Sequence, residues 1–178
     1  MVLTSYIVDL QGFKLTNNRF VFKEVALLNC TNAQKPTLAS YVFAPPFPLH
    51  HQSLEEKKQT NWIENNLHLN WEESGTSYTK LSNILHVNLS EANIVYVKGS
   101  EKMEWIRHYV PPNCQLVNLE DFGCPALHKL LSNTKTIKDR KSVLHVWKLF
   151  DWLTENACDL VGRIILNLSV FNEMLTVR

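Results

Sequence analysis

With 178 residues, 45% of them hydrophobic and 20% charged, the chain is long enough for one domain with a buried core. A net charge of +1 leaves no overall basic footprint for nucleic acid, although a local patch is compatible with it. Five glycines and no glycine-rich loop exclude the common phosphate-cradling motifs.

The first strand is expected over Ser5–Leu10. Asp9 and Gln11 are two apart and share one face of it, while Val8 and Leu10 face the other way. An acid at the carboxyl end of a core strand stands where open α/β sheets usually place a ligand. Asn17-Asn18 marks a turn into a second strand, Phe20–Leu28, and a third follows at Ser40–Ala44. Pro45, Pro46 and Pro48 end that strand, because proline cannot continue a ladder.

Ser53-Leu-Glu-Glu56 has the form of a capping box, so a helix should run from there to about Asn65. Thr76 or Ser77 should cap a second helix, with Tyr78, Leu81, Ile84 and Leu85 on one face. Asn93–Val97 is a short apolar strand that Lys98-Gly99-Ser100 turns into a helix over Glu101–Tyr109, stopped by Pro111-Pro112. Gln115–Leu119 is the fifth strand, and Pro125 suits the first turn of the next helix. A longer helix over Asp139–Asn156 carries an apolar stripe of Val143, Val146, Trp147, Phe150 and Leu153. A meander followed by crossover units predicts an α/β fold: a mixed five-stranded sheet flanked by helices, with the first strand central. We expect one domain over 1–155 and a C-terminal helical extension over 156–178.

Four cysteines, Cys30, Cys114, Cys124 and Cys158, form no Cys-x-x-Cys pair, which argues against a zinc site. No secretory signal is visible at the start, so the expected setting is intracellular, cytoplasmic or nuclear, with reduced thiols. No apolar run is long enough for a bilayer, so no membrane partner is expected.

The order of elements resembles the RNase H-like fold, and more narrowly the DEDD-type proofreading exonuclease superfamily. Val8-Asp9-Leu10-Gln11 is similar to the family's opening Asp-x-Glu strand, and Glu24-Val25-Ala26 to its Glu-hydrophobic-Ala strand. Tyr41-Val-Phe-Ala-Pro45 fits the third strand. The resemblance implies an aspartate at the start of the helix after Ile94–Val97, where this chain has Lys102 or Met103. It also implies a histidine and, five residues on, an aspartate in the last helix; Arg140 and His145 fill those places. Of the four acids that the family uses, only Asp9 stands in position.

The family's reaction uses two metal ions, held by several carboxylates, to activate water and steady a leaving oxygen. Gln11 offers only a neutral carbonyl, and magnesium prefers carboxylate and water oxygens. The expected function is therefore that of a degenerate exonuclease-like domain, a pseudoenzyme without a cofactor, binding single-stranded nucleic acid or a protein. Gln11, Phe13, Lys98 and Lys102 are its candidate nucleic-acid contacts, the lysines for phosphate and Phe13 for stacking. The alternative is an active magnesium- or manganese-dependent nuclease with Asp9 as a metal ligand and Glu101, Glu104 or Asp121 as substitute acids. A purely structural or protein-interaction domain is the third class, with the tail after Asp159 as a possible docking surface. Asp9 is most simply a structural acid that accepts backbone bonds near Gly12.

Other residues have bland readings. Lys98-Gly-Ser-Glu-Lys102 is a solvated turn more readily than an anion site, since Glu101 and Glu104 oppose the lysines. Cys124, four residues before His128, is a buried thiol more readily than a nucleophile. His50-His51 is surface loop. Among the five tryptophans, any of which can serve as a stacking platform, Trp105 and Trp147 fit core stripes. Trp71 sits in a polar loop and lacks an explanation there.

Overall fold

A computed structural model describes residues 3–132 and 140–156. The expected extension, Cys158 and the apolar tail lie outside the described residues, Asn156 apart. The strands are β1 (Ser5–Lys14), β2 (Phe20–Asn29), β3 (Thr37–Val42), β4 (Ile94–Val97) and β5 (Gln115–Asn118). They form one five-stranded sheet in the order β3-β2-β1-β4-β5. β1 pairs antiparallel with β2 and parallel with β4, so the expected central strand is central. β2–β3 is antiparallel and β4–β5 parallel.

β1 and β2 run past the expected ends because a register shift lets them bend. Gln11 pairs with Glu24 and Gly12 with Phe22, which leaves Lys23 as the extra residue of a bulge. Gly12 sits at this crossing, and a Cβ there would lie 2.1 Å from the Val21 carbonyl oxygen. The turn beyond it uses Asn17 and Asn18, both with left-handed backbone (φ 58° and 56°), which asparagine tolerates.

The helices are α1 (Leu54–Leu67), α2 (Leu81–Leu89), α3 (Ser100–Ile106), α4 (Leu127–Leu130) and α5 (Lys141–Glu155). The Ser53–Glu56 capping box forms as expected. α2 starts later than expected, after a 3-10 turn over Tyr78–Lys80, and neither it nor that turn has a side-chain cap. Pro125 precedes α4 rather than entering its first turn.

Three apolar clusters hold these layers. Val8, Leu10, Val25 and Leu27 pack beneath Leu81, Leu85 and Leu89 of α2. On the opposite face Ile7, Ala26 and Leu28 meet Val146 and Leu149 of α5. Under α1, Phe13, Leu15 and Val21 surround Trp71 and Ile63. No helix among the described residues is long and apolar enough to cross a membrane.

The face that α5 turns inward differs from the expected stripe. Ser142, His145, Val146 and Leu149 are buried, whereas Val143, Trp147, Phe150 and Leu153 are only partly buried and cover the flank. Buried acids on the sheet need polar partners, and these rotate the helix by about one residue.

Candidate functional site

Asp9 is wholly buried, and its carboxylate is enclosed by three side chains from three elements. The Lys102 ammonium from α3 pairs with Oδ1. His145 Nδ1 from α5 lies 2.9 Å from Oδ2, and Gln11 Nε2 donates to the same oxygen at 2.7 Å. An ionised carboxylate only accepts, so Nδ1 of His145 carries its hydrogen toward Asp9. The 3.2 Å approach of Gln11 Nε2 to that nitrogen is then the third side of a triangle of contacts rather than a further bond. Backbone donors near Gly12, the expected partners of Asp9, are replaced by these side chains.

Burial acts to raise the Asp9 pKa. The Lys102 charge, then the His145 hydrogen bond and charge, outweigh it and hold the carboxyl below its ordinary value. Asp9 is thus an ionised acid neutralised from within the protein.

This donor set does not fit a divalent cation. It contains one carboxylate, one amide, one imidazole already turned to that carboxylate, and an ammonium that can only donate. Among the described residues no three His, Cys, Asp or Glu side chains gather closely enough to hold a metal ion. The substitute acids have other partners. Glu101 accepts from Lys14 at 2.5 Å, Glu104 from Arg107 at 3.0 Å, and Asp121 from Asn118 at 3.5 Å.

A second polar group adjoins the first. Glu24, buried opposite Gln11 on β2, accepts from the Ser142 amide and hydroxyl at 3.4 and 3.3 Å. Arg140 bridges Glu24 at 3.3 Å and Glu73 at 2.5 Å. Ser142 and His145 are one helical turn apart, so the start of α5 rests on an acid from each of the two central strands. Arg140 and His145, read in the sequence only as replacements for a histidine and an aspartate, thus both meet buried acids, whereas Ser142 and Glu73 carry no signal in the sequence.

The bulged Lys23 is 1% exposed and donates to the carbonyls of Phe43, Trp71 and Glu73 at 3.0, 3.1 and 2.6 Å. Burial lowers its pKa, against the opposing pull of Glu73. It explains the tryptophan of the polar loop. Trp71 is fully buried, edge-on to Phe13 with ring centroids 5.1 Å apart, and its loop is tied to the sheet through Lys23.

At the carboxyl ends of β1 and β4 an open cleft of about 400 Å³ borders this centre. Gln11, Lys98 and Lys102 line it, with Phe20, Trp62 and Trp105 as its aromatic walls. Trp105 lies flat on Phe20 at 3.6 Å. Lys98 is buried and donates to Glu120 and to the Cys124 carbonyl, so its charge serves the fold. Phe13 is 0% exposed and presents no free ring face. The Gly99 amide is taken by Asn118 Oδ1, which removes one donor from the turn considered for an anion. His50 and His51 are exposed in a 3-10 turn. Cys124 is buried, and burial pushes its thiol up to about 11, the wrong direction for a nucleophile at neutral pH.

No family model and no curated protein matches this chain.

Proposed function

We propose that this chain is an exonuclease-like domain that does not cleave, and that binds single-stranded nucleic acid in the cleft at the carboxyl ends of β1 and β4. The observation that carries this reading is the Lys102 ammonium on the Asp9 carboxylate. Metal-assisted hydrolysis needs acids that are free to neutralise cations. Here the acid midway along the central strand is neutralised by the protein's own side chains, and the neighbouring carboxylate, Glu24, is taken up by Arg140 and Ser142. The cleft beside it remains open and aromatic-walled, which suits ligands held by stacking.

Purified protein with magnesium or manganese should leave end-labelled single-stranded DNA and RNA intact, and should bind them at low salt. Cleavage that Asp9→Asn abolishes would overturn the first half of the reading in favour of a metal-dependent nuclease. Absence of association at low salt would overturn the second half and leave a protein partner as the ligand.

A further inference from the structure

Trp62 is 60% exposed, whereas Trp71 is buried and Trp105 is covered by Phe20. It stands on α1 between two hollows. The first is the cleft beside Asp9, and the second, about 410 Å³, lies between α1 and the β1–β2 turn. The two hollows share Lys14, Trp62 and Ile63, so the indole forms a ridge between them.

Their charges differ. In the first hollow Lys14, Lys98 and Lys102 are matched by Glu101, Glu120 and Asp9 in three ion pairs. The second hollow has the same Lys14, held by Glu101, as its single charged lining residue, accompanied by the carboxamides of Asn17, Asn18 and Gln59. Those three side chains are exposed. Each carboxamide offers both donors and an acceptor, the set needed by the edge of a nucleobase. Lys14 is about half exposed, and its pair with Glu101 is of the solvent-exposed kind that contributes little to stability.

We propose that the second hollow is a base-binding subsite, in which an unpaired nucleobase stacks on Trp62. The carboxamides of Asn17, Asn18 and Gln59 meet the edge of the base, and Lys14 meets its phosphate. This rests on the nucleic-acid reading above and adds to it where the strand is held, and by what. Because Lys14, the charged residue of the second hollow, is already paired with Glu101, stacking supplies more of the affinity than phosphate contact does. A protein partner would need apolar contact on Trp62 but neither a base nor the phosphate.

The test uses fluorescence anisotropy with a fluorescein-labelled oligothymidylate of about ten nucleotides and an abasic deoxyribose-phosphate strand of equal length. Trp62→Ala should weaken oligothymidylate binding about tenfold, within the range measured for loss of one aromatic–base stack. Trp62→Phe keeps a ring and should bind within about threefold of the native protein. The abasic strand should bind no better to the native protein than to Trp62→Ala. An unchanged thermal transition by circular dichroism shows that the exposed substitution leaves the fold intact. Oligothymidylate binding that survives Trp62→Ala, or equal binding of the abasic strand, overturns the subsite while leaving the nucleic-acid reading standing. No association of oligothymidylate with the native protein overturns both.

Discussion

His145 Nδ1 lies 2.9 Å from Asp9 Oδ2, although 136 positions separate the two residues in the chain. With Lys102 on the other carboxylate oxygen, the contact ties α3 and α5 to the central strand through one buried acid. Removing one partner of a buried pair leaves an uncompensated charge, at a cost of about 3–5 kcal/mol. Lys102 retains some exposure, which places Lys102→Met near the lower end, about 3 kcal/mol. Asp9→Asn with Lys102→Met together should cost less than the sum of the two single changes, because no orphan charge remains. Urea unfolding of the three variants measures this. Additive losses would mean that the pair contributes no coupling.

Acid unfolding should reveal a second carboxylate. Glu56 has its pKa lowered from 4.5 to about 2, first by the Ser53 amide of the capping box, then by the Thr16 hydroxyl and, less strongly, by Arg19, with burial opposing them. A depressed acid contributes stability that is fully present above its unfolded pKa and is lost as pH falls through the folded one. For Glu56 that window runs from about 4.5 down to about 2. Asp9 adds to it with the same sign, since its pKa is also lowered. Glu56→Gln should therefore reduce stability at neutral pH and flatten the fall between those two values. Unfolding free energies followed across that range decide it; a curve parallel to that of the native protein would remove Glu56 as a source of the acid sensitivity.

Gly12→Ala tests the bulge. The added Cβ would lie 2.1 Å from a backbone carbonyl of the paired strand, an obstacle that no side-chain rotation relieves. We expect a loss of about 3 kcal/mol, the upper part of the range for overpacking, visible as a lower melting temperature. An unchanged transition would mean that β1 and β2 separate there at little cost.

The number and order of the strands and the central place of β1 were legible because their apolar runs and turn residues are local signals, although β3 starts at Thr37 and ends at Val42, before the prolines expected to stop it. Asp9 and Gln11 were legible as neighbours on one face, since a strand alternates with period two. The inward face of α5 was not. Its sequence has an apolar stripe, and only the buried acids Asp9 and Glu24 on other elements turn Ser142 and His145 to the sheet. Trp71 and Lys23 were opaque for the same reason. One lies in a polar loop and the other in an apolar strand, and each is explained by the other across 48 positions. A stacking role for Phe13 requires an exposed ring, which a strand ending near Leu10 would allow. The bulge instead carries the strand on to Lys14 and buries the ring.

Gln11 is the residue whose chemistry separates this centre from one with paired acids. Its amide donates to Asp9 Oδ2 at 2.7 Å, which a carboxylate in its place cannot do. Gln11→Glu would set two negative groups against each other with Lys102 and His145 still in position, so the new acid should have a raised pKa. The sign is opposite to that of Glu56: an acid whose folded pKa is raised carries its penalty at high pH and loses it as protonation proceeds. We therefore expect Gln11→Glu to lose about 2 kcal/mol at neutral pH, the cost of a lost charge-assisted hydrogen bond, and to recover part of it toward acid. Magnesium or manganese should neither restore that stability nor bring about cleavage of single-stranded DNA, because Lys102 still occupies Asp9 Oδ1. Stability measured with and without the metal tests the first expectation and a labelled-strand assay the second. Metal-dependent stabilisation accompanied by cleavage would show that one added carboxylate suffices, and that the Lys102 ammonium is displaced by a cation far more easily than its burial against Asp9 implies.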